Sequence, residues 1–335
     1  MNIEKLYKLS ICIPTYNRPE EFERLIKVLA PQIIEDVELV IRDDSTNEFT
    51  KKIVDKFFKP GGSGAVNYIR GEKKGLDEAM LFMLEMAKGE HVWFFSDDDE
   101  MRTDSIAHIL NTLGSRNIDY AWINFRYDET KTAIPVESDR FFNDNNEVLE
   151  ITGRSIGLLT TILIRKSAAI PFLSLAKQNI YGFAFAILIP VFGVVRSSKN
   201  LYLIATPLII NNPTLNDEIK QLTNKNGIIK NDGFYVYGIY LKMVLNMFSD
   251  GFSKRAVRAY LKKNFRQTWM GMVVGYCGEF DTPKGKRIEM LRNYWMFPEV
   301  FIAILLLSLP RGLVDRLYGA YKKMKYVVLK TNYLG

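Results

Sequence analysis

The stretch "GEHVWFFSDDDEM", residues 89–101, carries an almost unbroken apolar run directly into three carboxylates, Asp97, Asp98 and Asp99. A short run rich in β-branched and aromatic residues predicts a buried strand. Neighbouring carboxylates raise one another's pKa and are costly to bury, so the triplet needs either water or a cation. A solvated turn that caps a helix beginning near Thr103 would provide the water. The position of the triplet in the fold decides between these two readings.

The composition suits a globular protein with a sizeable core. The chain has 335 residues, of which 47% are apolar, enough for one large domain or two ordinary ones. Two cysteines and two histidines are too few for a disulfide framework or a zinc site, which favours a reducing cytoplasmic compartment. The apolar stretch near the start is too short for the core of a secretory signal, so we expect no signal peptide.

The first hundred residues alternate between strand-like and helix-like segments. The predicted strands are "LSICI" (9–13), "VELVI" (37–41), "AVNYI" (65–69) and "HVWFF" (91–95). The predicted helices between them are "EEFERLIKVLA" (20–30), "FTKKIVDKFF" (49–58) and "LDEAMLFMLEMAKG" (76–89). This order predicts an α/β fold with a mostly parallel sheet of the nucleotide-binding type.

Beyond residue 115 the alternation is less regular. Residues 118–128, 157–170 and 201–210 read as further strands, whereas the polar and acidic segment 136–150 reads as loop. A polar connector at 216–233 precedes an aromatic, basic and helical region. We therefore expect one α/β domain over residues 1–215 and a helical basic region over 216–335.

The positive charge belongs to the C-terminal quarter. From Ser253 to the end, 16 Lys or Arg outnumber five Asp or Glu, while the whole chain carries only +7. Residues 309–330 interleave Leu, Val and Tyr with Lys and Arg at the spacing of an interfacial helix. The apolar stretches 183–195 and 300–310 are too short to span a bilayer. These features favour contact with a polyanionic surface; a solvated basic face, or a helix docked on the core, would explain them without one.

Polar motifs follow each of the first four predicted strands. Because the carboxyl ends of parallel strands share one edge of the sheet, where ligands bind in open α/β folds, we expect the motifs to lie together. They are "PTYNR" (14–18), "RDDS" (42–45), Arg70 and "SDDD" (96–99). The chain has no "GxxxxGK" phosphate loop, no "GxGxxG" after the first strand and no "GxSxG" elbow, so the enzymes that depend on these motifs are excluded.

The stretches "LSICIPTYNRPEEFERLIKVL", "VELVIRDDS" and "AKGEHVWFFSDDDEM" resemble the N-terminal signatures of glycosyltransferase family 2, especially its members that build bacterial surface polysaccharides such as O-antigen and capsule. The resemblance covers residues 8 to about 115 well and 116–210 loosely. It implies a Rossmann-like GT-A domain over residues 1–215. The nucleotide would bind the half formed by 1–115, and the acceptor the half formed by 116–215.

The resemblance also implies which residues hold a nucleotide-sugar donor. Those of the first turn would contact the base, ribose and phosphates, Asp44 would accept a hydrogen bond from the pyrimidine ring, Arg70 would contact the diphosphate, and Asp97 the ribose or donor sugar. UDP is favoured, with another pyrimidine left open, because a carboxylate pairs with the N3–H of uracil or thymine better than with cytosine. The residues so assigned are Pro14, Thr15, Tyr16, Arg18, Asp43, Asp44, Arg70 and Asp97.

Family members carry an Asp-x-Asp (DXD) signature whose last carboxylate binds Mn²⁺ or Mg²⁺. Counted without gaps from the pair at 89–90, the signature falls on Ser96, Asp97 and Asp98, which makes Asp98 the predicted metal ligand. Asp99 would be a second ligand or an outer neighbour. A shift by one residue, which would use Asp97 and Asp99, stays open because Ser96 departs from the usual Asp. Oxygen ligands suit either of these hard cations.

The catalytic base is the least defined part of the prediction. Inverting members place an acidic base in the second half of the domain, but the corresponding stretch 177–192 contains no Asp or Glu. The nearby acids are Asp139, Asp144, Glu147 and Glu150 before it and Asp217, Glu218 and Asp232 after it. We take Asp217 as the candidate base.

The resemblance thus predicts a metal-dependent glycosyltransferase that moves a sugar from a UDP-sugar to a saccharide or lipid-linked acceptor. We expect it to lie peripherally on the inner face of a bacterial membrane through its basic C-terminal region, whose helices could also form an oligomer, and to bind no nucleic acid. Two alternatives stay open: a sugar nucleotidyltransferase, which would need a Gly-rich and Arg-containing loop that the first strand lacks, and a non-catalytic binding protein on a decayed transferase domain. The donor sugar, acceptor and stereochemistry are not specified.

Overall fold

The computed structural model describes residues 6–58, 65–127, 131–180, 186–211 and 241–275, residues 288, 291 and 294–310, and most of 312–320. The chain separates into two compact units. The first comprises Met1–Thr214 and Val244–Val257, and the second comprises Leu215–Met243 and Arg258–Gly335. A short segment after residue 243 therefore belongs with the α/β unit rather than with the basic region that follows it.

The first unit is built on a nine-stranded sheet with the order β3-β2-β1-β4-β8-β6-β9-β5, in which β7 pairs with β9. The strands are β1 (Tyr7–Thr15), β2 (Val37–Asp43), β3 (Ala65–Arg70), β4 (Gly89–Phe94), β5 (Glu100–Met101), β6 (Tyr120–Arg126), β7 (Arg140–Phe141), β8 (Ile162–Arg165) and β9 (Leu201–Ile210).

Eleven α-helices occur among the described residues. They are α1 (Pro19–Leu29), α2 (Phe49–Phe57), α3 (Leu76–Met86), α4 (Ser105–Ser115), α5 (Asn145–Thr152), α6 (Lys166–Ala169), α7 (Leu173–Gln178), α8 (Leu188–Ser197), α9 (Leu241–Met247), α10 (Lys254–Gly275) and α11 (Glu299–Ser308). No helix in this described part is both long and apolar enough to cross a bilayer.

The N-terminal half has the predicted strand-helix alternation. All four predicted strands and the three helices between them are present, and β1 pairs in parallel with both β2 and β4, while β2 pairs in parallel with β3. The side chains of β1 and β2 are almost entirely buried, which explains why their sequences are mostly apolar without a strict alternation. Helix α1 buries one face, formed by Phe22, Leu25, Ile26 and Leu29.

The second half makes the sheet mixed rather than mostly parallel. Strand β8 runs antiparallel to both β4 and β6, β9 is parallel to β6, and the short β5 and β7 are antiparallel to β9. The regular crossovers end at β4. The chain then forms the short β5 at the far edge of the sheet before it reaches β6, and β8 later fills the position between β4 and β6 in the opposite direction. Such an arrangement does not show in strand propensity, because direction depends on the connections.

Two segments differ from the sequence-based prediction. Residues 136–150, read as loop, contain β7 and helix α5, whose first turn is capped by Asp144 accepting a hydrogen bond from the Glu147 N–H at 2.9 Å. An Asp followed three residues later by a Glu is a helix-start signal. The predicted strand over 157–170 is shorter than expected, since only Ile162–Arg165 is extended and α6 follows at once.

Candidate active site

The ends of β1, β2 and β4 meet at one edge of the sheet. The Asp44 N–H donates to the Thr15 carbonyl at 3.1 Å, and the Phe95 N–H donates to the Cys12 carbonyl at 2.9 Å, so the chain leaves all three strands side by side. Arg70 joins them because it is in register with Asp43 across the β2–β3 pair. The four strand-end motifs are therefore brought together as expected.

The acidic triplet does not cap the helix after it, since α4 begins only at Ser105. The Thr15 hydroxyl instead donates to Asp97 Oδ2 at 2.8 Å, and Arg18 Nη1 lies 3.2 Å from Asp97 Oδ1 and 3.0 Å from Asp98 Oδ2. The side chains of Arg18, Asp97 and Asp98 are largely buried. The cation that makes the triplet tolerable in this structure is thus the Arg18 guanidinium.

Asp97 is the carboxylate most affected by its surroundings. Burial raises its pKa to about 7, and the neighbouring charge of Asp98 acts in the same direction. The Arg18 charge and the Thr15 hydroxyl oppose that rise. Asp97 is therefore held by a balance between loss of water and two specific partners from the first turn.

Asp98 is the most accessible of the three carboxylates, since Asp97 and Asp99 are buried. Its Oδ1 accepts from the Ser96 hydroxyl, its Oδ2 lies against Arg18, and its backbone carbonyl accepts from Arg24 Nη2 at 2.9 Å. Of the predicted metal ligands, Asp98 is the one whose carboxylate lies closest to solvent.

Asp99 is connected to the other half of the sheet. Its Oδ2 accepts from the Thr160 hydroxyl at 2.6 Å and its Oδ1 from Asn211 Nδ2 at 2.8 Å. Thr160 lies in the 3₁₀ turn that precedes β8, and Asn211 follows β9. Both oxygens of Asp99 are thus engaged inside the protein. Metal binding by Asp99, which stays a prediction, would require exchange of one of these bonds.

Asp43 and Arg70 bind each other rather than projecting from the edge. Asp43 is fully buried and its Oδ2 accepts from the Tyr68 hydroxyl at 2.6 Å and from Arg70 Nη1 at 3.0 Å. Its Oδ1 accepts from the Ser45 N–H at 2.9 Å. In this structure Asp43 therefore organises the second turn, and Arg70 keeps only part of its guanidinium for a ligand.

Asp44 lies beside an open cavity lined by Arg42, Asp44, Lys74, Glu78, Ala79 and Phe82. Its Oδ1 accepts from Arg42 Nε at 2.6 Å, and the Arg42 guanidinium lies 5.0 Å from the centre of the Phe82 ring. A carboxylate has two oxygens with several acceptor positions, so Asp44 keeps acceptor capacity for a ligand.

The first turn is fastened to the second by Asn17, which the sequence analysis did not single out. Asn17 has φ of 52°, in the left-handed region that Asn tolerates better than most residues. Its N–H donates to Ser45 Oγ at 2.8 Å, and its Oδ1 accepts from the Thr46 N–H at 3.0 Å. Pro14 is the penultimate residue of β1, whereas Tyr16 lies in the turn that follows, where Lys73 Nζ is 3.8 Å from the centre of the Tyr16 ring.

The carboxylates fit a divalent cation only together with a ligand. Among the residues that the structure describes, no three His, Cys, Asp or Glu side chains are placed so that they could hold a metal ion. Mg²⁺ is commonly bound by one or two carboxylates, water and substrate phosphates, so Asp98 with a diphosphate would suffice. The candidate base Asp217, like Glu218 and Asp232, lies outside the described residues.

Residues 10–173 match the model of the family described as Glycosyl transferase family 2. The chain is 30% identical over 103 residues to a GalNAc(5)-diNAcBac-PP-undecaprenol beta-1,3-glucosyltransferase of Campylobacter jejuni. It is 29% identical over 110 residues to an abequosyltransferase of Salmonella typhimurium. These alignments cover 31% and 32% of this chain, which spans about a third (33%) of the length of each relative.

Solved structures share the architecture. S. aureus TarS 1–349 in complex with UDP-GlcNAc superposes with a TM-score of 0.59 at 14% identity, covering 89% of this chain and 81% of that one. A mannosyltransferase of Pyrobaculum calidifontis, in complex with GDP-Man and Mn²⁺, gives a TM-score of 0.50 at 10% identity and covers 96% and 89%. At these identities the similarity concerns the fold alone. It confirms the predicted GT-A fold, whose sheet here is curled and mixed rather than mostly parallel.

Proposed function

Because residues 10–173 match the model of Glycosyl transferase family 2, we propose that the chain transfers a sugar from a UDP-sugar to a saccharide or lipid-linked saccharide during the synthesis of a bacterial surface polysaccharide. The observation that carries this proposal is the convergence of Thr15, Arg18, Asp44, Asp97 and Asp98 at one sheet edge. Ligands bind at this edge in open α/β folds.

The uracil ring would occupy the cavity beside Asp44. Uracil N3–H is a donor, and Asp44 is a nearly buried acceptor already oriented by Arg42. Phe82 and the Arg42 guanidinium above it provide a flat surface for the ring. Cytosine offers no N3–H, which is the physical reason to place UDP before a cytidine nucleotide.

The ribose and diphosphate would then extend toward the acidic triplet. Asp97, fixed by Thr15, is placed to accept from a ribose or sugar hydroxyl, and Asp98 is the carboxylate that would hold Mn²⁺ or Mg²⁺. Such a cation, when bound, neutralises the diphosphate leaving group. Arg18 lies between both carboxylates and is the nearest protein cation for a phosphate oxygen.

In the transfer itself, the bond from the sugar to the diphosphate oxygen breaks and a bond to the acceptor oxygen forms, while the acceptor hydroxyl gives its proton to a base. Three described acids of the second half are engaged elsewhere. Asp139 pairs with His108 at 3.0 Å, Asp144 caps α5, and Glu147 pairs with Arg140 at 2.7 Å. This supports a base from the later acids, and we propose Asp217.

A lipid-linked acceptor would place the protein at the membrane. The Campylobacter relative is named for an undecaprenol-linked acceptor. The excess of Lys and Arg after Ser253 would attract an anionic leaflet, with each basic residue near the surface contributing about 1 kcal/mol. We propose peripheral association with the inner face of the membrane on this basis.

Calorimetric titration of UDP and a panel of UDP-sugars, with Mn²⁺ or with excess chelator, tests the proposal. We expect binding with Mn²⁺ and a loss of affinity with chelator. Equal affinity in chelator would remove the metal from the proposal. Absence of UDP binding under both conditions, in a folded protein, would contradict the proposed function itself.

A further inference from the structure

Helix α11 of the second unit is apolar on both faces. Its sequence "EVFIAILLLS" has polar residues only at its ends. Val300, Ala303 and Leu307 are buried, whereas Phe301, Ile302 and Leu305 are 66%, 52% and 63% exposed. A surface helix usually turns polar residues outward, so one with apolar residues all round is expected to be covered by something apolar on each side.

The exposed side extends beyond the helix. Trp295, 71% exposed, precedes α11, and two further exposed leucines follow it. We call this set the apolar surface; it consists of Trp295, Phe301, Ile302, Leu305, Leu313 and Leu317. Other large exposed hydrophobic side chains of the described chain, such as Phe49 and Tyr127, are scattered along the sequence of the first unit. Six in 23 successive residues form a concentration that marks an interaction site.

The apolar surface is fixed to a basic helix in the same unit. Phe265 of α10 stacks on Tyr294 at 5.2 Å and on Phe297 at 5.9 Å between ring centres, and these two residues flank Trp295. The same part of α10 exposes Arg258, Lys262 and Lys263. An apolar surface and a set of exposed cations thus belong to one packed element.

We propose that the apolar surface inserts into the headgroup and outer acyl region of an anionic membrane leaflet, while the basic residues of the same unit contact the lipid phosphates. Charge favours this occupant over a second copy, because the quarter of the chain after Ser253 carries 16 Lys or Arg against five Asp or Glu and two such surfaces would repel. Tryptophan is typical of the membrane interface. The inference rests on the proposed function in one respect: a lipid-linked acceptor would give the enzyme a reason to bind a membrane.

The length of α11 agrees with insertion along the surface rather than across the bilayer. Ten residues extend over about 15 Å, half of the roughly 30 Å of hydrocarbon in a bilayer. A helix lying in the interface gains from its buried apolar side chains and from attraction to anionic lipids, and both gains should be measurable separately.

Co-sedimentation with phosphatidylcholine vesicles containing roughly a third phosphatidylglycerol tests the inference on the full chain. We expect the double substitution Phe301→Gln and Leu305→Gln to reduce binding about tenfold at fixed salt, because two large apolar side chains no longer enter the lipid. The matched control is Phe49→Gln, which removes a 55% exposed aromatic from the first unit and should bind vesicles like the wild type.

Quenching of tryptophan emission by brominated lipids adds a readout of insertion. Among the described tryptophan side chains Trp295 is exposed whereas Trp93 and Trp122 are buried, so the quenching should fall in Trp295→Phe. Vesicle binding unchanged in the double variant, or binding without quenching, would overturn the inference and leave a purely electrostatic contact.

The inference would also be overturned if the wild type were a dimer, the double variant were a monomer, and neither bound vesicles. The apolar surface would then be an interface between copies of the chain. Calorimetry with UDP separates these outcomes from the proposed function. UDP binding should be equal in the wild type and all of these variants, since none of the substituted residues belongs to the strand-end motifs. If the wild type did not bind UDP, the proposed function would be contradicted, whereas the conclusion on lipid binding would be unaffected.

Discussion

The two halves of the sheet contribute to the site in different ways. In the half formed by β1 to β4, each strand ends in a polar motif, and these motifs bind one another directly, as Thr15 and Arg18 bind Asp97. The half formed by β6, β8 and β9 reaches the acidic triplet through Thr160 and Asn211, which both bind Asp99. The first half therefore carries its groups in motifs that end parallel strands, whereas the second half supports Asp99 through residues outside those motifs.

The largest expected effect is at the carboxylate assigned to the metal. Asp98→Asn should lower sugar transfer roughly 100-fold or more, since a bound cation contributes several kcal/mol to stabilising a developing charge. The fold should persist, because an amide can still accept from Ser96 and Arg24 binds the Asp98 backbone. The measurement is UDP release in the presence of acceptor, together with Mn²⁺-dependent UDP binding.

Glu100→Gln is the control for this substitution, since it removes the next acid, which is about half exposed and lies outside the cluster. If Asp98→Asn and Glu100→Gln reduced activity equally, the acidic turn would act only through its general charge. Asp98 would then have no specific role, and the contrast between the two halves of the sheet would lose its main support.

The next effect concerns Asp44 and the cavity beside it, where the uracil ring is proposed to bind. Asp44→Ala should weaken UDP binding by roughly 1–3 kcal/mol, the usual cost of removing one partner of a buried polar contact. Mn²⁺ affinity measured without nucleotide should not change, since Asp44 lies at the end of β2 rather than in the acidic triplet. Calorimetry decides this, and wild-type UDP affinity in the variant would show that "RDDS" is only a turn.

A substitution in the second half tests whether it positions the triplet. Thr160→Val removes the hydroxyl that donates to the buried Asp99, and about 1–2 kcal/mol of stability should be lost with it. We expect kcat to fall while the donor affinity stays near that of the wild type. Thr160→Ser, which keeps the hydroxyl, should restore both the stability and kcat. A variant with unchanged kcat would reduce Thr160 and Asp99 to a structural link.

The sequence predicts the first half well because the ends of its strands follow a general rule of parallel sheets. A parallel strand places its last residues at a common edge, so Asp44 and Asp97 could be assigned to one site from strand patterns alone. Nothing in the local sequence indicates that Thr160 or Asn211 reaches Asp99, since that depends on β8 running antiparallel to β4. Arg18 illustrates a further limit. The motif predicts a phosphate contact, whereas its carboxylate partners follow only from the three-dimensional arrangement.

The smallest expected effect follows from this position of Arg18. Its guanidinium lies 3.0 Å from Asp98 Oδ2, so a divalent cation that binds Asp98 must share that carboxylate with a permanent positive charge. Two cations on one carboxylate repel each other, which weakens metal binding until a diphosphate brings compensating negative charge. If Asp98 binds the metal, Arg18 would make metal binding depend on the nucleotide, and removing its charge should remove part of that dependence.

Arg18→Gln should therefore bind Mn²⁺ without nucleotide more tightly than the wild type by about 1 kcal/mol, roughly fivefold, while its UDP affinity in the presence of Mn²⁺ falls. Arg24→Gln is the matched control, because Arg24 donates to the Asp98 backbone carbonyl rather than to the carboxylate and should leave both affinities near wild type. Free Mn²⁺ measured by electron paramagnetic resonance gives the metal affinity directly. Equal Mn²⁺ affinity in Arg18→Gln and wild type would mean that Arg18 and the metal do not compete, and Asp98 would then have to bind the cation through another face.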